Sequence, residues 1–326
     1  MSLAEAFLEQ MNDWHTYPEP YEDIELDHWL HTKYADVLLR EKKIDWSVPY
    51  FSPSGASKQL CELYAKAKRF KKDEVRWKPH QRRYMSQGTA LGDWLQRDIM
   101  LCERYYEKLS GKEPRFVMGL VNGEPAFENF IFKQHKMSWK GKEFSLLGTS
   151  DGIMVDTHTG EKVLLEVKSK QSTPAKTSLY SMREAEESHI KQVVCYGEMY
   201  DVKRAIIVYV NGAKEGWFAD DEKLKKTPDL RAFDVEITEE LREEVFDHFV
   251  MAREVIESGH MPIPDLRDWE FSEYKQAIVE ELSDEDFESM IRDAEAYKLM
   301  SEPFVVNNIN RALADVRQRR KAIEVK

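Results

Sequence analysis

The sequence predicts an α/β fold, an αβββαβ core with helical segments at both ends. Three observations carry this expectation. Apolar residues recur at helical spacing on either side of the segment 126–170, within that segment the period shortens to that of strands, and Ala205 to Val210 (AIIVYV) forms a continuous apolar run. The 326 residues are 42% hydrophobic and 33% charged, enough to bury a sizeable core, and this excludes a disordered chain.

In chain order, residues 1–50 read as a helical extension. Ser52-Pro53-Ser54 offers an N-cap with proline in the first turn, ahead of a helix in GASKQLCELYAKAKRF. A second helix is expected over about 89–109, where Leu91, Leu95, Ile99 and Cys102 form one stripe and Ser110-Gly111 closes it. Strands are expected at about 127–137, 143–155 and 162–170, joined by turns at Lys140-Gly141-Lys142 and Asp156 to Gly160. A helix at about 182–200 then leads to the buried strand 204–211. Beyond Asp220 the pattern turns helical at about 237–258, 284–300 and 304–323. With no repeat, low-complexity tract or linker, the expected organisation is an N-terminal helical extension 1–50, a core 51–220 and an acidic helical region 221–326.

Composition restricts function. Sixty acidic against 48 basic residues give a net charge of −12, which argues against a surface that attracts polyanions everywhere. Charge is segregated, however. Between Lys66 and Arg83 stand Lys66, Lys68, Arg69, Lys71, Lys72, Arg76, Lys78, Arg82 and Arg83 against Asp73 and Glu74, a net of +7, while 231–300 holds 21 acids and 7 bases. Phe70, Trp77 and Tyr84 are interleaved with the basic segment, a pattern suited to unpaired bases and phosphates, although charge runs are commonly only solvated helix ends. Cys61, Cys102 and Cys195 are too few for a disulfide framework or a thiolate cluster. No apolar run approaches the roughly 20 residues of a membrane span, and the acidic N-terminus does not resemble a signal peptide, so a cytoplasmic location is expected.

The turn at Thr157 to Gly160 carries the chemistry. A four-residue loop there sets Asp151 directly opposite Glu166 on paired strands. Like charges at opposed positions destabilise a sheet, and burial adds to the cost, so a compensating cation is required. Alternation places Lys168 on the face of Glu166 and turns Leu165 and Val167 into apolar packing. Hard oxygen ligands of this kind suit Mg²⁺ or Mn²⁺, with water and phosphate oxygens completing the shell. The acid-x-Lys triplet alone is uninformative, since it also occurs at Glu41/Lys43, Asp201/Lys203, Asp221/Lys223, Glu273/Lys275 and Glu324/Lys326. Glu166/Lys168 stands apart by its apolar strand, by Asp151 at hairpin distance, and by the helix with Gln192 and Tyr196 that follows.

Over residues 52–212 these features resemble the PD-(D/E)xK nuclease superfamily, in particular the branch of RecB-type nuclease domains, lambda-type exonucleases and Cas4-like proteins. Gly148-Thr-Ser-Asp151, Glu166-Val-Lys168 and Gln192-Val-Val-Cys-Tyr196 stand in the order of that branch's G-x-x-D, [DE]-x-K and Q-x-x-x-Y, and Phe51-Ser-Pro-Ser-Gly55 is similar to its first-helix start. The resemblance implies a restriction-endonuclease-like αβββαβ core with a mixed central sheet, and metal-dependent hydrolysis of DNA phosphodiesters, with Asp151, Glu166 and the Val167 carbonyl holding Mg²⁺ or Mn²⁺. Lys168 would orient or deprotonate the attacking water, and Gln192 and Tyr196 would brace the site and contact the DNA backbone. Gly88-Thr-Ala-Leu-Gly92-Asp93 departs from the pattern by placing glycine where relatives carry a His or Glu ligand. Asp93 is the nearest acid, with Asp98 and Glu103 behind it, and is carried over as the candidate metal ligand of this motif. His189 reads as a helix-surface histidine. The iron-sulphur cysteines of Cas4-like proteins are missing from the pattern.

An exonuclease of recombination, repair or phage DNA processing is therefore the leading expectation, since no site-reading domain is visible. The alternative is a nuclease-fold DNA-binding or scaffolding protein whose acidic C-terminal region docks a helicase, recombinase or single-strand annealing protein. Lambda-type relatives close into rings, which makes a homo-oligomer conceivable by analogy.

Overall fold

A computed structural model describes residues 1–18 and 22–324, so Lys326 of the Glu324/Lys326 triplet lies outside the described residues. Two compact units emerge, Met1–Ser54 with Trp77–Lys136 and Ser145–Val245, and Gly55–Arg76 with Met137–Phe144 and Phe246–Lys326.

In the first unit, helix α1 (Leu3–Trp14) starts from a Ser2–Glu5 capping box, and α2 (Ile24–Leu38) from an Asp23 cap. Strand β1 (Tyr50–Phe51) precedes a 3₁₀ turn at Pro53–Ser57, so the proline opens a short turn and helix α3 (Leu60–Ala67), which belongs to the second unit, begins only after Gln59. Helix α4 runs over Pro79–Ser110 and ends at Gly111, whose φ of 73° is the left-handed cap expected there. It begins ten residues earlier than its apolar stripe, because its first turns are exposed and carry no stripe to read. Strands β2 (Phe116–Met118), β3 (Leu120–Val121) and β4 (Glu124–Pro125) lead to a 3₁₀ turn at Glu128–Ile131. Then follow β5 (Lys133–Trp139), β6 (Lys142–Gly148), β7 (Gly152–Asp156) and β8 (Glu161–Lys170). Helix α5 (Glu187–Tyr200), β9 (Arg204–Asn211), α6 (Asp221–Lys226) and β10 (Leu230–Glu236) complete the unit, and α7 (Glu239–Ser258) leaves it.

The central sheet has the order β10-β9-β8-β7-β2 and is mixed, since β8 and β9 are parallel and the other pairs antiparallel. Helices flank it, which gives the mixed α/β architecture with a mixed central sheet that the sequence predicts. The expected single strand over 143–155 is two strands. β6 pairs with β5 and β1 in a separate sheet, and the chain changes sheets at Thr149 to Asp151. The expected strand from 127 likewise starts with the 3₁₀ turn, and β10 occupies a stretch that carried no strand expectation. The β7–β8 hairpin has the register derived from the turn, with Gly152 opposite Leu165 and Asp156 opposite Glu161, and Gly160 at φ 74° makes the turn. The core of this unit gathers Phe7, Leu95, Ile99, Phe116, Met154, Leu165 and Val208.

The second unit is largely helical. α3, α8 (Lys275–Glu281), α9 (Asp284–Lys298) and α10 (Pro303–Glu324) enclose Cys61, Trp269, Ile278, Met290, Ile309 and Val316. Some of its acids are engaged by its own bases, Asp284 by Arg320, Glu295 by Arg317 and Lys298, and Asp73 and Asp315 by Arg319. Cys61, Cys102 and Cys195 are free and buried, and burial pushes the thiols of Cys61 and Cys102 up to about 12. No helix among the described residues is long and apolar enough to cross a membrane.

Candidate active site at the β7–β8 crossing

Asp151 and Glu166 come together where the chain leaves one sheet for the other. The Asp151 carboxylate accepts a hydrogen bond from the Val167 amide at 2.7 Å, which pins it across the ladder one step beyond the last paired residue of β7. Its carbonyl accepts from Gln96 of α4 at 2.8 Å. Gly148 at the end of β6 permits the crossing. A Cβ there would sit 3.1 Å from Pro53 Cδ, a tight contact, and 3.8 Å from the Tyr196 ring, an ordinary one, so the turn after β1 lies close against the G-x-x-D segment.

Glu166 is only 1% exposed. Burial, and then the neighbouring Asp151 charge, push its carboxyl up to about 8. Lys168 opposes this from 2.6 Å through Oε1, but Oε2 is buried and lacks a hydrogen-bond partner. Burial likewise raises Asp151, offset by the Val167 amide and Lys168. The Lys168 ammonium also donates to Gln192 Oε1 at 2.9 Å, and the Gln192 amide donates to the Tyr196 hydroxyl at 3.4 Å. Five residues singled out in the sequence, Asp151, Glu166, Lys168, Gln192 and Tyr196, thus form one connected group, with Leu165 and Val167 packed on the opposite side.

The first-motif acids divide. Asp98 is consumed by α1, accepting from Trp14 at 3.0 Å and contacting His15 at 2.6 Å, and Glu103 is held by the Met118 backbone. Asp93 hydrogen-bonds Glu128, which no pattern in the sequence singled out. Glu128 opens the 3₁₀ turn with φ at 46°, and its amide donates to the Ser150 carbonyl at 3.0 Å, one residue before Asp151. Burial and the charge of Asp93 push its carboxyl up to about 7. Tyr34 hydrogen-bonds it as well. The signal available in the sequence was weak, an acid after Ala126-Phe127 inside an expected strand. His189 is not a surface residue. It is half-buried, bonded to the Tyr209 hydroxyl at 2.9 Å, and burial with the Lys168 charge lowers it to about 4, so it is neutral.

Among the described residues no three His, Cys, Asp or Glu side chains form a ready-made metal cage. The donor set nevertheless suits a hard cation that keeps part of its water. Asp151 and Glu166 are two adjacent buried carboxylates whose mutual repulsion no arginine relieves, one of their oxygens is unpartnered, and the Val167 carbonyl is the adjacent backbone oxygen of β8.

The basic segment divides between the units. Lys68 lies over the Tyr64 ring, Lys71 pairs with Glu74 and Lys72 with Glu273, all in the second unit with Lys66, Arg69 and Arg76. Trp77, Lys78, Arg82 and Arg83 belong to the first unit, at the start of α4, where Trp77 is 53% exposed. That helix meets the end of β8. A Cβ on Gly88 would lie 2.8 Å from the Ser169 hydroxyl, and Gln171 donates to the Tyr84 carbonyl at 3.1 Å.

No protein-family model and no curated protein matches the chain. Among solved structures it resembles SSO0001, with 10% identity, a TM-score of 0.40 and coverage of 81% of this chain and 100% of that one. It also resembles an alkaline exonuclease from Laribacter hongkongensis, with 15% identity, a TM-score of 0.37 and 64% and 90% covered. A phage-related exonuclease from Haemophilus somnus 129PT has 11% identity, a TM-score of 0.36 and 65% and 95% covered.

Proposed function

We propose that the chain is a metal-dependent deoxyribonuclease acting as an exonuclease, with Asp151 and Glu166 at its centre. The observation that carries this reading is the buried Glu166 carboxyl, raised to about 8 beside Asp151, with one oxygen left without a partner and a lysine 2.6 Å from the other. A buried acid pair without a compensating arginine is costly in a purely structural sheet. Asp151, Glu166 and the Val167 carbonyl would hold Mg²⁺ or Mn²⁺, and Asp93 with Glu128 forms a second carboxyl pair alongside. The chemistry supplied by such an ion is charge neutralisation at the scissile phosphate and a lowered pKa for the attacking water.

The chain's own groups do the positioning. Gln192 accepts from Lys168 and Tyr196 receives the Gln192 amide, so the ammonium is directed by a relay anchored on α5. Lys168 orients the water and stabilises charge developing on the phosphate. The cations of the α4 start, Lys78, Arg82 and Arg83, with the exposed Trp77, supply a surface for the incoming DNA on the same unit.

The test uses end-labelled duplex and single-stranded DNA with Mg²⁺, with Mn²⁺ and with chelator. Hydrolysis is expected with either metal and is expected to fall by at least about a thousandfold in Lys168→Ala and Asp151→Asn. Hydrolysis that survives the chelator, or Lys168→Ala at full rate, overturns the reading.

A further inference from the structure

The loop between β8 and α5, residues 171–186, is built more firmly than a connection needs. Asn211 at the end of β9 is fully buried, and its single amide nitrogen donates to the Thr173 carbonyl at 3.0 Å, the Pro174 carbonyl at 3.2 Å and the Thr177 hydroxyl at 2.9 Å. The Tyr209 hydroxyl accepts from the Glu186 amide at 2.8 Å, closing the loop's far end. Strong anchoring from beneath contrasts with what the loop presents above. Tyr180 is 82% exposed, and the Arg183 guanidinium lies 5.5 Å from its ring centroid. Lys170, Lys176, Tyr180 and Arg183 line one groove.

Charge gives this groove its direction. Lys176 and Arg183 have no acidic partner among the described residues, in a chain of net charge −12. Two acids also line the groove, but Glu186 is held by Lys170, which leaves Glu184 as the opposing charge. Lys168 and Lys170 share one face of β8, about 7 Å apart along the strand. The candidate active site therefore continues through Lys170 into the groove. An exposed ring with cations beside it offers a stacking platform and phosphate contacts together, and stacking needs a base whose face is free, which a duplex does not provide.

We infer that the 171–186 groove binds a single strand of DNA, with a base stacked on Tyr180 and the backbone phosphates on Lys176 and Arg183. This rests on the nuclease reading for its substrate class, but it is tested by binding alone. Fluorescence anisotropy of a labelled oligothymidylate is measured with the full chain in chelator, where no hydrolysis is expected, with duplex DNA as the parallel probe. Tyr180→Ala is expected to weaken oligothymidylate binding on the order of tenfold while Tyr180→Phe retains it, and to leave duplex binding unchanged. Lys176→Ala combined with Arg183→Ala is expected to reduce the salt slope by about 1.4. All these side chains are exposed, so melting temperatures should match the parent and report any misfolding.

If oligothymidylate does not bind, if Tyr180→Ala binds as the parent does, or if it loses duplex and single strand equally, the groove assignment is overturned. Hydrolysis of a small phosphodiester, bis(p-nitrophenyl) phosphate, with Mn²⁺ reads the catalytic centre separately. If that activity is missing while the Tyr180 effect persists, the nuclease reading falls and the groove stands. Activity equal to the parent in Tyr180→Ala without a binding effect does the reverse.

Discussion

The two ends of the β7–β8 hairpin bury carboxylates in opposite ways. At the turn end Asp156 is 1% exposed, as Glu166 is, but Arg115 grips it through Nε at 3.0 Å and Nη2 at 2.8 Å, and the His158 amide adds a third bond. The guanidinium holds that carboxyl below its usual range. At the crossing end Asp151 and Glu166 have only Lys168 and one backbone amide, and both carboxyls are raised. One end is a completed structural ion pair. The other keeps two raised carboxyls with one oxygen unpartnered, a state that the fold's own groups do not satisfy.

Removing the satisfied pair tests the contrast most severely. Arg115→Ala strands a buried charge and should cost about 3 kcal/mol in chemical denaturation, while the hydrolysis rate per folded molecule is retained. Because the Asp156 carboxyl is depressed, its contribution is present above the ordinary value of 3.8 and fades as pH falls below it, so the gap between parent and variant should close in acid. A gap that stays constant down to pH 2 would mean that Arg115 does not act through the ionised Asp156 carboxyl.

A smaller effect of opposite sign is expected at the other end. Glu166 is raised, so its neutral form is favoured by folding. That contribution is present below about 4.5 and lost as pH climbs toward about 8. In chelator the parent should lose stability over this range, and Glu166→Gln should be more stable at pH 9 by on the order of 2 kcal/mol, less than the full shift implies because Lys168 loses its partner. Parallel stability curves for parent and variant would remove the claim of unrelieved repulsion. Smallest is Gly148→Ala, which presses on Pro53 and should cost about 1 kcal/mol with a modest fall in hydrolysis, read by melting temperature and initial rate. Full stability with unchanged rate would show that the crossing tolerates a side chain.

The same contrast explains what was legible in the sequence. A four-residue turn fixes a hairpin register, and register fixes which side chains face each other, so Asp151, Glu166 and Lys168 could be placed by counting. The relay through Gln192 and Tyr196 followed from helical spacing. Glu128 could not be found this way, because it sits on a left-handed residue in a 3₁₀ turn and its partners Asp93, Gln96 and Tyr34 come from two distant helices. The break between β6 and β7 falls in the small, polar run Gly148-Thr-Ser-Asp151-Gly152, and only tertiary pairing assigns the two halves to different sheets. His189 gave no sign of burial, since what covers it is the Tyr209 side chain of β9. Edge strand β10 alternates with charged residues and is defined by its partner β9 rather than by its own apolar content.

The buried thiols of Cys61, Cys102 and Cys195 leave the exterior chemically quiet toward alkylating reagents, since the reactive thiolate is scarce at neutral pH. A single engineered sulfhydryl, for instance in Tyr180→Cys, would then carry a maleimide dye with little competing label, and a spectroscopic ruler could be laid along the groove without first stripping the native cysteines.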